Sequence, residues 1–331
     1  MPISRTCART IATISLLALG TAAMGCAEEG TADDTVTSAL TGQLPVAFQR
    51  STNVLWVDQN GPGSAVSTGL SMLSGTVPSQ VTLPSGALEI GFQGSNGHFW
   101  LDQFMGSATD SGGTMQAGTS PSITFLNGMV AFGMHGVNGH LWISLAGPFN
   151  GFDTTAAMAS GTSPSVAALP NGQLALAFQG SNGHFWYGVA GPNSGQDSGG
   201  VMAAGTSPSI AATASSQVPF AFHGSNGDLW VGLGGLHSGV DTGFSMLAGT
   251  SPSVAVANGV VVAFQAGNGS LWLYINNGFI STVNTGLAMS GRPPSIIPTS
   301  SGGYQVSFKG SNGDLSIDLN GTSQDQGYAM N

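Results

Sequence analysis

Charge is what this sequence has least of. Only 6% of its 331 residues are Asp, Glu, Lys or Arg, against about 25% in an average soluble domain. Lys309 is the sole lysine, and Glu89 is the sole glutamate after residue 29. With Arg5 and Arg9 of the amino-terminal segment set aside, Arg50, Arg292 and Lys309 are the fixed positive charges of a chain whose net charge is −10. Nucleic-acid binding needs a basic surface that displaces counterions, and three cations cannot build one. Polyanions are disfavoured for the same reason, which leaves neutral ligands. Cysteine is nearly absent too. Cys7 and Cys26 both lie near the amino terminus, so the rest of the chain has no disulfide and no cysteine-based metal site. No cofactor is called for.

The chain is instead rich in glycine, with 52 residues, and 41% hydrophobic. Glycine with little charge can mean disorder, but here Phe, Trp, Val and Leu recur at regular intervals, as in a turn-rich β protein. The first 26 residues read as a signal peptide: Arg5 and Arg9 precede the apolar run "IATISLLALGTAAMG", which is short for a membrane span. The run ends at Gly25-Cys26, a lipobox-like junction that makes Cys26 a candidate lipidation site. An ordinary secretory leader cut after Ala27 is the alternative. Residues 27–34 read as an acidic tether. The protein is expected to be exported, as an outer-membrane or cell-surface lipoprotein or else secreted, touching a membrane only through a lipid on Cys26.

Beyond the tether one phrase returns. Trp56, Trp100, Trp142, Trp186, Trp230 and Trp272 are spaced by 44, 42, 44, 44 and 42 residues, and one further step of 44 reaches Ser316. Methionines keep the same beat at Met72, Met115, Met158, Met202, Met246, Met289 and Met330, with Asp five residues earlier in five copies. Within the unit Pro164–Ala204, "PSVAAL", "LALAFQG", "HFWYGVA" and "DSGGVMAA" read as four short strands joined by turns. Seven four-stranded units of 40–45 residues are the signature of a β-propeller. The expected fold is therefore an all-β, seven-bladed propeller over residues 35–331. "PSVAAL" forms the innermost strand, "TVTSAL" (35–40) does so in blade one, and blades one and seven meet without a covalent link. A linear solenoid would need capping repeats, and none is visible.

The phenylalanines eight residues before the Trp position, such as Phe178, are expected in the core. Copy three has Met134 in the Phe place, and the residue that follows in the seven copies (Gln49, Gln93, His135, Gln179, His223, Gln265, Lys309) stays polar while changing identity, a pattern expected to face solvent or a groove. His98, His140, His184 and Asp228 sit two residues before their Trp and share its face of the strand. The histidines fall one per blade, too far apart for one zinc cluster. The tryptophans are either inter-blade core or flat platforms for sugar C–H faces, since an indole pairs a large apolar ring with an N–H that needs a partner. No acid–base pair or nucleophile elbow stands out, so no enzyme activity is expected.

The pattern "VAFQxxxGxLW … D-x-G-x-x-M-x-x-G-T-S-P-S" resembles the tandem repeats of PLL-like bacterial β-propeller lectins and of tectonin-type propellers. The resemblance spans about residues 35–331. It implies seven blades and repeated shallow sugar sites that use Trp and nearby polar side chains. The candidate sugar-stacking residues are Trp56, Trp100, Trp142, Trp186, Trp230 and Trp272, with His98, His140, His184 and Asp228 as polar partners. Neutral glycans are the expected partners. The alternative is a protein-interaction or adhesion scaffold that meets a cell-surface protein and has no sugar site.

Overall fold

A computed structural model describes residues 40–189, 195–235 and 237–331. Among these there is no helix. The strands form seven antiparallel sheets, each in simple sequence order, six with four strands and the first with three. Blade four is representative, with strands Ser165–Ala168, Leu174–Gln179, His184–Val189 and Gln196–Val201. Its second strand is buried throughout and its fourth is largely exposed, as expected of a sheet that runs from the ring's interior to its rim.

Each turn follows from its residues. The Asn-Gly pair between second and third strands places Gly183 at φ +81°, the left-handed conformation that tight hairpins need. The repeated Asp-x-Gly is a β-bulge. Trp186 is opposite Asp197 and His184 is opposite Val201, with the register shift between them. Gly199 takes φ +73° there, Asp197 Oδ1 accepts its N–H at 2.7 Å, and Ser198 Oγ donates back to Phe185 O at 2.7 Å.

Phe48, Phe92, Phe178, Phe222, Phe264 and Phe308 are at most 3% exposed, so the expected core row is a core row. The methionines lie between blades. Met72 is 1% exposed and bridges Gly94 of the next blade. Around it the end of one blade's fourth strand is stitched to the next blade's hairpin: Leu73 N donates to Gln93 O and Ser95 N to Ser71 O. The same stitch recurs around the ring and closes it. Asn331 N donates to Gln49 O at 3.1 Å and Ser51 N to Ala329 O at 3.0 Å. Tyr328 stacks on Phe48 and its hydroxyl accepts Ala65 N–H at 2.9 Å. These contacts rule out the linear solenoid.

The polar row after the phenylalanines overturns the sequence expectation. Gln49, Gln93, His135, Gln179, His223 and Gln265 are at most 2% exposed. Each donates to a backbone carbonyl of the link leaving its blade, as Gln93 Nε2 does to Gln116 O (3.0 Å) and His135 Nδ1 to Thr162 O (2.8 Å). A buried backbone group must be paired. The glutamines reach the carbonyl beside or at the link methionine (Leu73, Gln116, Ala203, Met289), and the two histidines reach the link threonine further along (Thr162, Thr250). The row varies because Gln and His can each donate to a carbonyl of the same link, not because water tolerates either.

Blade one has strands Val46–Gln49, Val54–Asp58 and Val66–Ser71. The innermost strand expected at 35–40 lies outside the described residues, apart from Leu40. On the inner edge of Val46–Gln49 a side chain does the pairing: Gln80 Oε1 accepts Ala47 N–H at 2.6 Å and Gln80 Nε2 donates to Pro45 O at 2.7 Å. The equivalent residue is apolar in every later blade: Ile123, Val166, Ile210, Val254 and Ile296.

Candidate functional site

The indoles are anchored from below, from one edge, or both. The ring of Trp186 stacks on Phe178 at 5.8 Å, Trp100 on Phe92 at 6.3 Å and Trp230 on Phe222 at 5.8 Å. The indole N–H of Trp100, Trp142, Trp186 and Trp230 donates to the Asn side chain four residues earlier, at 3.1–3.2 Å. All six tryptophans are half-buried, so neither extreme of the sequence reading holds. In Trp100, Trp186 and Trp230 one face and one edge are structural, and the remainder reaches solvent.

The repeated Gly of "GSNG" makes this posture possible. A Cβ built on Gly94, Gly136, Gly180 or Gly224 would lie 2.3–2.6 Å from the indole of its own blade. Where the glycine is missing the indole loses its partner. Blade six has Ala266 there, and Trp272 Nε1 is buried without an acceptor although Asn268 is present. Blade one differs twice: Arg50 replaces the glycine, its guanidinium 4.5 Å over the Trp56 ring, and Thr52 replaces the Asn acceptor, so Trp56 Nε1 is likewise unpaired.

A carboxylate organises the turn beside each anchored indole. Asp110 accepts from Asn96 Nδ2 at 2.9 Å and contacts His98 Nδ1 at 3.0 Å. Asp153 does the same with Asn138 and His140, and Asp197 with Asn182 and His184. These three histidines, which fall one per blade in the sequence, each lie 3.0 Å from an Asp carboxylate on the neighbouring strand. Burial works against the three carboxylates. The backbone N–H of the bulge, the His and Asn bonds and the His charge outweigh it and hold them below the ordinary range. In blade five Asp228 replaces the His, and Asn226 Nδ2 donates to both Asp228 and Asp241. Blade seven repeats this with Asn312, Asp314 and Asp325, although Ser316 replaces the Trp. The Asn–Asp bond thus holds the hairpin against the bulge whether or not an indole is present. The sequence signal for it was the Asp five residues before each Met, read as an Asx-type acceptor. That role is real, and the reach to Asn and His is additional.

Grooves run between successive blades. The one between blades two and three, about 460 Å³, is walled by Phe132, Met134, Trp142 and the exposed Val137 and Phe149, opposite Ser111–Thr114 of the neighbouring rim strand. A smaller groove between blades four and five is lined by Phe220, Phe222, Trp230 and His237. Trp142 and Trp230 therefore face grooves. Cys26 lies outside the described residues. Among those described, no group of three or more His, Cys, Asp or Glu side chains is placed to hold a metal ion.

The sequence matches no family model and no curated protein. Among solved structures it is similar to two lectins and to AofleA. The Aleuria aurantia lectin, described as a six-bladed β-propeller with a novel fucose recognition mode, aligns at 12% identity and TM-score 0.56 over 76% of this chain and 94% of that one. AofleA from Arthrobotrys oligospora aligns at 13% identity and TM-score 0.56 over 78% and 88%. SapL1 lectin in complex with α-methyl fucoside aligns at 14% identity and TM-score 0.54 over 79% and 97%. The likeness is one of fold. This ring carries seven blades to the six of the Aleuria lectin.

Proposed function

We propose that this protein is an exported, non-catalytic carbohydrate-binding propeller of the PLL-like kind, with repeated weak sites for neutral glycans in its inter-blade grooves. One observation carries the reading. In the groove between blades two and three, an indole already fixed by Asn138 and Phe-rich walls faces a rim of hydroxyls and backbone. That pairing of apolar platform and polar fringe suits a sugar ring, which stacks through its C–H face and hydrogen-bonds at its edge. The similar lectins, named for fucose binding, add support. Several weak sites on one rigid ring gain strength by multivalency. Export follows the signal-peptide reading of residues 1–26, with lipid on Cys26 as the membrane anchor.

The test is titration of the protein with α-methyl fucoside and a glycan array, using Trp142→Ala. Binding that falls at least tenfold in the variant supports the reading; no glycan above background rejects it. A scaffold that meets a cell-surface protein is the second reading, favoured by the Phe ring stacked under Trp100, Trp186 and Trp230. It requires Trp186→Ala to lower the melting temperature while no sugar binds either protein.

A further inference from the structure

The ring departs from its own pattern at one seam. In five inter-blade links the residue after the link glycine is a threonine (Thr76, Thr119, Thr162, Thr206, Thr250), at most 1% exposed, whose hydroxyl bonds to the carbonyl three residues back. The link into blade seven has Arg292 instead. The buried Gln or His that follows the core Phe, or Met134 in blade three, is Lys309 in blade seven. Arg292 and Lys309 line the same cavity of about 290 Å³, where blades seven, one and two meet at the ring's centre, and it extends to inner strands of blades three to five. Ser295 and Ser307 line it as well.

These two residues are two of the three fixed cations beyond residue 9 in a chain of net charge −10. Both are half-buried. Among the described residues neither has a carboxylate within ion-pair distance, since the close contacts of that kind found there are the three between His and Asp. Arg292 Nη1 spends one donor on Gly75 O at 3.3 Å, in the link leaving blade one. Packing does not explain the choice, because five Thr and six Gln or His residues fill the equivalent places without charge. A guanidinium fork and a second cation lining one cavity supply the groups of a carboxylate receptor.

We propose that the seam cavity binds a carboxylate, with Arg292 and Lys309 gripping the anion and the hydroxyls of Ser295 and Ser307 available to a hydroxylated acid of the uronic-acid class. The site is separate from the indole grooves.

The experiment is calorimetric titration of the full chain with glucuronate, and with glucose as neutral control. It is repeated on the double variant Arg292→Thr/Lys309→Gln. The double variant restores the residues other blades carry, and its melting curve verifies folding. Glucuronate binding to the full chain that weakens tenfold or more in the double variant, and weakens as salt is raised, supports the proposal. Absence of glucuronate binding to the full chain overturns the proposal, as does binding that the double variant leaves unchanged. Titration with α-methyl fucoside reads the indole grooves in the same proteins, so failure of one site is distinguished from failure of the other.

Discussion

The indole N–H of Trp186 donates to Asn182 Oδ1 over 3.1 Å, and the space that lets it do so is the missing side chain of Gly180, whose Cβ would fall 2.3 Å from Trp186 Nε1. Gly180→Ala should push the indole off its acceptor, as Ala266 does for Trp272. Overpacking of this kind costs roughly 1–3 kcal/mol, so the melting temperature should fall and the tryptophan emission should shift. The reverse change, Ala266→Gly, should let Trp272 reach Asn268 and raise stability. No loss of stability in Gly180→Ala would refute the account of the glycine.

Thr155 occupies the bulge position that glycine takes in the other six blades, and it does so at φ +60°. A β-branched residue in this conformation is strained by roughly 1–2 kcal/mol, part of which a glycine returns through its freer unfolded chain. Thr155→Gly should therefore stabilise the protein by roughly 0.5–1 kcal/mol, read as a higher denaturant midpoint with an unchanged slope.

His135 is buried as a neutral donor, and burial pulls its pKa below the ordinary value while its bond to Thr162 O resists. The unfolded chain binds the proton more readily, so stability on this account is intact above about pH 6.5 and falls as pH drops below it. His135→Gln keeps a donor toward the same link, as the Gln of four other blades is, and should remove this acid sensitivity. His135→Ala leaves the carbonyl unpaired and should cost about 1–3 kcal/mol at neutral pH. Identical melting profiles from pH 5 to 8 for wild type and His135→Gln would count against the argument.

Asp318 is 1% exposed, and its Oδ2 has no hydrogen-bond partner. Burial raises its pKa despite a bond from Gly321, and its charge helps push Tyr304, itself raised by burial first, to about 12. A raised carboxylate pKa contributes stability below the unfolded value, and that contribution is lost as pH rises through the folded one. Asp318→Asn should consequently be more stable than wild type at pH 7 and indistinguishable from it well below pH 3.9, and it should lower the Tyr304 titration midpoint. A Tyr304 midpoint unmoved by the substitution would contradict the electrostatic part of this reasoning.

The ring was legible in the sequence because a propeller repeats its chemistry along with its geometry. The Trp spacing counts the blades, and Met330 with Asn331 completes the last stitch against Arg50 and Gln49. The row from Gln49 to Gln265 was misread because variation between polar residues looks the same for a solvated position and for a buried donor with a backbone acceptor. The indoles resisted a two-way choice because one side chain serves both purposes: its N–H edge is committed to an Asn while part of its ring remains at a groove. Nothing in the spacing could show that His98, His140 and His184 meet their aspartates. That contact arises from the bulge, which draws two residues 12 or 13 apart in sequence to about 3 Å.

The stitch between blades also shapes how the chain comes apart. Each rim strand ends on the next blade's hairpin, as Met72 does on Gly94, so no blade holds all of its own bonds. Removing any one blade strands half a stitch on each side, and the loss passes around the circle. The chain can instead be cut at any one link and its present ends joined without breaking a stitch. A set of six circular permutants, each opened at a different link, should fold to the same ring and rank by stability according to the link that each one leaves open.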